Sequence, residues 1–256
     1  MILRSVTKHV REQNWFAVAL DLAIVIFGVF IGIQVSNWNE KLVQEEETSV
    51  LIQRLYKDLA NEREVIAGRM DYVSIAIKLG ITAVQGFNNP DSVNDEQFVI
   101  AAYQASQIDG VWSYRSAYTE LIRTGNINLI KDEKLKDNIL GYYSADLADQ
   151  NNVSQIYREY IRGVIPYEIQ DAIRTECGDI AIPVAQTFAN AALPEDCDLQ
   201  LNDKLFSVTA TYLRSQPEML YKLQHQLSEN DINIYNYVNF DGNIHRLMKM
   251  IEEYQH

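Results

Sequence analysis

Apolar and polar positions follow three patterns along the chain. Residues 15–35 are almost uniformly apolar, with Trp15 at one end and Trp38 just past the other. At a helical rise of 1.5 Å per residue the two tryptophans lie roughly 34 Å apart, close to a bilayer with its interfaces. The segment predicts a transmembrane helix. Beyond it, Ile52, Leu55, Leu59, Ile66, Met70, Val73 and Ile77 recur at three- and four-residue steps. Lys57, Asp58, Arg63, Glu64 and Arg69 fill the other face, while Glu62 falls on the apolar stripe and interrupts it. No helix breaker stands between Val35 and Gly80, so span and stalk are expected as one helix. The stripe suits either a coiled-coil seam or packing against the chain's own domain.

The third pattern is punctuated. Gly86-Phe87-Asn88-Asn89-Pro90 is a clear break. Helices are expected over 93–108 and 113–123, the second closed by Gly125, a residue suited to the left-handed C-terminal position. Asp132 or a neighbour caps a long helix through Leu135, Ile139, Tyr142 and Tyr143 that Pro166 stops. After a loop-like segment holding Cys177, Pro183, Pro194 and Cys197, Asn202 caps a helix to about Arg214. Another restarts at Pro217 and runs to Leu227, and a last one covers 242–254. Residues 232–240 have strand-like types but no nameable partner. The predicted fold class is all-α: a tail (1–14), a transmembrane helix (15–35), a helical stalk (36–85) and an exported helical-bundle domain (86–256).

Charge sets the orientation. Arg4, Lys8 and Arg11 precede the span, and Glu40, Lys41, Glu45, Glu46 and Glu47 follow it. Basic flanks stay inside, so the N-terminus is expected in the cytoplasm and the rest outside. The rival is a cleaved signal peptide, but its core is normally shorter and Gly32-Ile33-Gln34-Val35-Ser36-Asn37-Trp38 offers no convincing cleavage site. A formal charge of −13 argues against nucleic acid and against anionic headgroups as partners. Five Pro and eleven Gly in 256 residues mean sparse turns and long elements. An even pair of cysteines in an exported domain favours a Cys177–Cys197 disulfide over two free thiols. A zinc site is poorer still, with no close Cys-x-x-Cys pair and no nearby His.

The span's exit, Gly28-Val29-Phe30-Ile31-Gly32-Ile33-Gln34-Val35-Ser36-Asn37-Trp38-Asn39-Glu40, resembles the bacterial family of unknown function DUF6090. Its members show an N-terminal membrane helix ending in Gln-x-x-Asn-Trp-Asn-Glu. The similarity extends to Tyr118-Thr119-Glu120-Leu121-Ile122-Arg123-Thr124-Gly125-Asn126 and to residues 135–143, about a third of the chain in all. Family members carry an acidic residue early in the span, commonly Glu, where this chain has Asp21. The resemblance implies a membrane-anchored helical protein and brings no activity with it; the expected location is the bacterial inner membrane.

Asp21 is the foremost candidate, because an ionisable group within a membrane helix costs a few kcal/mol and usually faces a partner or a polar path. The alternative is that it sits shallow enough to reach interfacial water. Gly28 and Gly32 form a Gly-x-x-x-Gly pair that admits a second helix closely. With Val25 and Val35 they share one face with Asp21, a membrane helix-packing surface. Gln34, Asn37, Trp38 and Asn39 cluster at the outer interface, where they bind headgroups or neighbouring helices, or serve as an aromatic belt.

No catalytic residues are assigned, and neither a metal nor a cofactor is expected. His225 and His245 lack ligand spacing, and no nucleophile elbow, phosphate loop or dinucleotide fingerprint is present. Tyr142-Tyr143, Tyr157 and Tyr160 read as core or partner contacts. Trp112, Tyr114 and Tyr118 line a groove or, more simply, pack the core. The expected function is a non-enzymatic structural or accessory subunit of a membrane assembly, partnered by the bilayer and by its own copies or other membrane subunits. The rivals are an ion-coupled, stator-like subunit using Asp21, an exported ligand sensor, and a hydrolase with an unrecognised site.

Overall fold

A computed structural model describes residues 15–108, 110, 113–145, 155–184 and 188–255. The tail 1–14 and Trp112 lie outside them. The described chain is mostly helical. Its elements are α1 (Trp15–Asn88), α2 (Asp95–Gln104), α3 (Ser116–Thr124), α4 (Glu133–Ser144), α5 (Ile156–Val164) and α6 (Tyr167–Glu176). A hairpin of β1 (Ile180–Val184) and β2 (Phe188–Ala192) follows, then α7 (Asp203–Arg214) and α8 (Pro217–Gln255).

α1 is a single helix of 74 residues. None of its apolar N-terminal window is buried, whereas Leu51, Ile52, Leu55, Leu59 and Ile66 are buried against Leu121 of α3, Ile139 of α4, and Ile244 and Ile251 of α8. Residues 36–85 are therefore no free-standing stalk: from Leu51 onward they are the central helix of the domain. The seam packs on the chain's own helices. Further along α1, Ala83 joins a second core with Phe98 of α2, Ile161 of α5, Ile169 of α6, Phe206 of α7 and Leu223 of α8.

α8 returns antiparallel along α1. Leu227 faces Gly80, Asp241 bonds Arg63 and Glu252 accepts from Tyr56. Residues 232–240, strand-like by type, are helical inside it, and no break separates Leu227 from Gly242. Buried Asn230, Tyr237, Ile244, Leu247 and Ile251, with half-buried Ile234 and Phe240, continue one stripe at helical spacing. Burial on that stripe overrides local propensity.

Caps fall where short polar side chains precede apolar runs. Asp132 accepts from Leu135 N at 3.1 Å, Asn202 from Lys204 N at 2.9 Å and Asn94 from Gln97 N at 2.8 Å. Gly125 closes α3 at φ 77°, a conformation that L side chains resist. The long helix expected up to Pro166 is instead α4 and α5, with 146–154 outside the described residues. α4 ends where Ala145 turns extended. α5 is tied to the end of α2: Arg158 and Arg162 both donate to Gln107 Oε1, at 3.3 and 2.7 Å, and Arg158 also reaches the Ser106 carbonyl at 2.8 Å.

The segment between the cysteines, read as loop, holds the hairpin. Its strands are antiparallel, with Ile180 opposite Ala192 and Ile182 opposite Asn190. It docks on α1 through Asn190, whose Nδ2 donates to the Glu64 carbonyl at 3.0 Å, and through Leu193, which packs with Tyr72 and Ala76. Cys177 and Cys197 are disulfide-bonded with Cα atoms 5.6 Å apart, joining the end of α6 to the chain just past the hairpin.

Candidate functional site

Two places on α1 combine unusual chemistry with position. In the apolar N-terminal part, Gly28 and Gly32 are open: a Cβ built on either meets nothing within 4 Å. Val25 is exposed, and half-buried Asp21 has an Oδ2 with no hydrogen-bond partner among the described residues. The helical repeat puts all four on one side, so the helix offers a smooth strip bearing a carboxyl group. Gln34, Asn37, Trp38 and Asn39 follow on the same helix and are exposed. This stretch is long and apolar enough to cross a membrane, and none of that apolar window is buried.

The second place is Glu62, a fully buried carboxylate in the middle of the domain's central helix. Tyr142 Oη of α4 donates to its Oε1 at 2.6 Å, the Tyr114 backbone N–H to its Oε2 at 3.2 Å, and Ser113 Oγ lies 3.4 Å from both oxygens. Burial pushes the carboxyl up to about 7, against the opposing pull of these hydrogen bonds and of the nearby Arg115 charge. Burial likewise drives the Tyr142 and Tyr143 hydroxyls well above the ordinary tyrosine value, with the Glu62 charge adding to it. Arg115 itself donates to the Tyr143 carbonyl and lies 5.8 Å from the centre of the Tyr143 ring.

An open cavity of about 280 Å³ adjoins this cluster, lined by Asp137, Asn138, Gly141, Tyr142, Phe240, Asn243 and Arg246. Tyr142 borders the cavity and bonds Glu62. Sequence reasoning marked Glu62 only as a break in an apolar stripe; the acid on that face was the signal, and its distant partners were not legible. Tyr114 and Tyr118 pack at the edge of the core, and Tyr118 stacks on Tyr143 at 4.2 Å. His225 and His245 are exposed. Among the described residues no three His, Cys, Asp or Glu side chains come together as a metal would need.

These features define a class, a mostly helical protein whose core helix carries an apolar extension long enough to cross a membrane. No protein-family model, curated protein or solved structure matches the chain.

Proposed function

We propose that the chain is a single-pass protein of the bacterial plasma membrane, with its N-terminus cytoplasmic and its helical domain periplasmic. It acts there as a structural or accessory subunit that assembles through its membrane helix with a second copy or another subunit. The observation that carries this is the continuity of α1 from an exposed apolar stretch into the domain core. So large an apolar surface, left bare, marks contact with lipid or protein. The open Gly28/Gly32 strip supports helix association, since small residues let backbones approach closely. Asp21 on the same strip gains a hydrogen-bond partner when a second helix covers it. The motif that resembles DUF6090 lies at the exit of the same helix, in keeping with an anchored protein.

Chemical crosslinking in native membrane, followed by native mass measurement in mild detergent, tests the reading. A dimer, a larger oligomer or a complex with another membrane subunit is expected, and a strictly monomeric, partner-free species overturns it. The Oδ2 of Asp21, without a partner among the described residues, favours ion coupling as the second reading. Asp21→Asn separates the two: loss of function with assembly intact favours ion coupling, whereas loss of assembly favours the structural role.

A further inference from the structure

Glu62 is the meeting point of three parts of the chain: α1, the 113–115 segment and α4. An ionised carboxylate only accepts hydrogen bonds, whereas a protonated one must also donate. The Tyr114 N–H suits the ionised form, while the Tyr142 and Ser113 hydroxyls can either donate or accept. Both protonation states are thus hydrogen-bonded on the same backbone. They differ in what burial does to them, because a charge inside the core is penalised and a neutral carboxyl is not.

No Lys or Arg among the described residues forms an ion pair with Glu62; Arg115 acts on it at longer range. The other charged groups are already engaged. On α1, Asp58 accepts from Ser116 Oγ and Ala117 N, both at 3.1 Å, and Arg63 is bonded to Asp241 of α8 at 2.7 Å. From α4 come Tyr142 and Tyr143, and from α3 Tyr118, stacked on Tyr143.

We propose that Glu62 is a proton-binding site that governs how firmly α4 and the 113–115 segment stay docked on α1. With the proton bound, the three remain together. When the proton is lost, they part more readily, because opening brings water to the carboxylate. Tyr142 marks the route for that water, bordering the open cavity and donating to Glu62. The site lies in the domain and stands whether or not membrane helices associate.

The direction with pH follows from linkage. Docked, the carboxyl sits at about 7; hydrated in an opened domain, it returns to its ordinary 4.5. The docked state therefore binds the proton more tightly. Its contribution to docking is complete below 4.5, declines as pH rises towards 7 and changes no further above that. Within this window one proton is linked to opening, so the opening constant rises by up to about tenfold per pH unit.

Hydrogen exchange of the α4 amides in the full-length protein in lipid nanodiscs, corrected for intrinsic exchange, reads this directly. Between about pH 5 and pH 7 the wild-type opening constant is expected to rise by more than tenfold. Glu62→Gln, neutral at all pH, should be flat across that range. Equal slopes in the two proteins overturn the proposal. Infrared difference spectra supply a second reading: a buried carboxylic-acid C=O band should fade between about pH 6 and pH 8 and be missing from Glu62→Gln. A wild-type spectrum without such a band also overturns it. Tyr142→Phe removes a bond that favours the ionised form, so the midpoint should move upward; an unmoved midpoint takes Tyr142 out of the latch and overturns the proposal as stated.

Discussion

Arg63 on α1 donates to Asp241 on α8 through two nitrogens, Nε to Oδ1 at 2.7 Å and Nη2 to Oδ2 at 3.4 Å. The pair spans 178 positions of sequence and links the two longest helices. Both side chains remain about a third or more exposed, so water and salt weaken the attraction. A double-mutant cycle with Arg63→Ala and Asp241→Ala, read by chemical denaturation, should give a coupling of about 0.2–1 kcal/mol that shrinks in high salt. A larger, salt-insensitive value would contradict the exposure.

Gly86 should not tolerate a side chain. A Cβ there would lie 2.4 Å from Phe98 Cδ2. The Phe98 ring has little freedom to withdraw: Phe87 packs against it edge-on at 4.8 Å and the Arg214 guanidinium covers it at 4.5 Å. Gly86→Ala is expected to destabilise by about 1–3 kcal/mol through overpacking. Gly141→Ala in α4, where a Cβ meets nothing within 4 Å, should instead stabilise by about 0.5–1 kcal/mol. Thermal melting of the two variants side by side checks the contrast.

The Cys177–Cys197 bond closes a separation of 20 residues. Alkylation without reductant should label neither thiol, and alkylation after unfolding and reduction should label both. Replacing both by Ser is expected to lower stability by about 3 kcal/mol by freeing the unfolded chain. A variant as stable as the parent would place the bond outside the domain's energetics.

If the apolar part of α1 associates as proposed, Gly28→Leu and Gly32→Leu should weaken that association by holding backbones apart, while the domain's melting point stays unchanged. Crosslinking yield at fixed protein-to-lipid ratio is the measurement. Undiminished yield in both variants would move the contact to another face.

Asp132→Ala removes the acceptor of the Leu135 N–H. A loss of about 1 kcal/mol is expected, read by denaturation, with no change in assembly.

The elements most legible in the sequence were those whose signals are local. Gly125, Asp132, Asn202 and Pro166 act through their immediate backbone neighbours, and each falls at the end of a helix where its chemistry placed it. Most of the α1 stripe was legible too, because spacing assigns Ile52, Leu55, Leu59, Ile66 and Val73 to the buried side, whereas Arg69, expected on the polar face, is buried. What covers that face was not. A helix seam looks the same whether its complement is another molecule or Leu121, Ile139 and Ile244 of the same chain. The hairpin escaped because Ile180–Val184 is short, contains Pro183 and leaves Ile180 and Ile182 exposed. Residues 232–240 misled for another reason: their residue types are strand-like, and the continued burial of Tyr237 and Ile244 on one stripe carries the helix through. That Asp21, Val25, Gly28 and Gly32 share one side of α1 follows from helical spacing alone. The Glu62 cluster could not, since its donors lie 51, 52 and 80 positions away.

Because α1 never breaks between Trp15 and Asn88, the two ends of a rod roughly 110 Å long share one angular setting. Whatever meets Gly28 and Gly32 fixes the compass bearing from which Leu55 and Leu59 present the domain. The exposed stretch between them, residues 35–43, then serves as a phase ring rather than a linker. One extra residue there would swing the domain through about 100° and carry it 1.5 Å farther out, leaving both faces intact but out of step. Seven extra residues, close to two whole turns, would restore the bearing at a greater height.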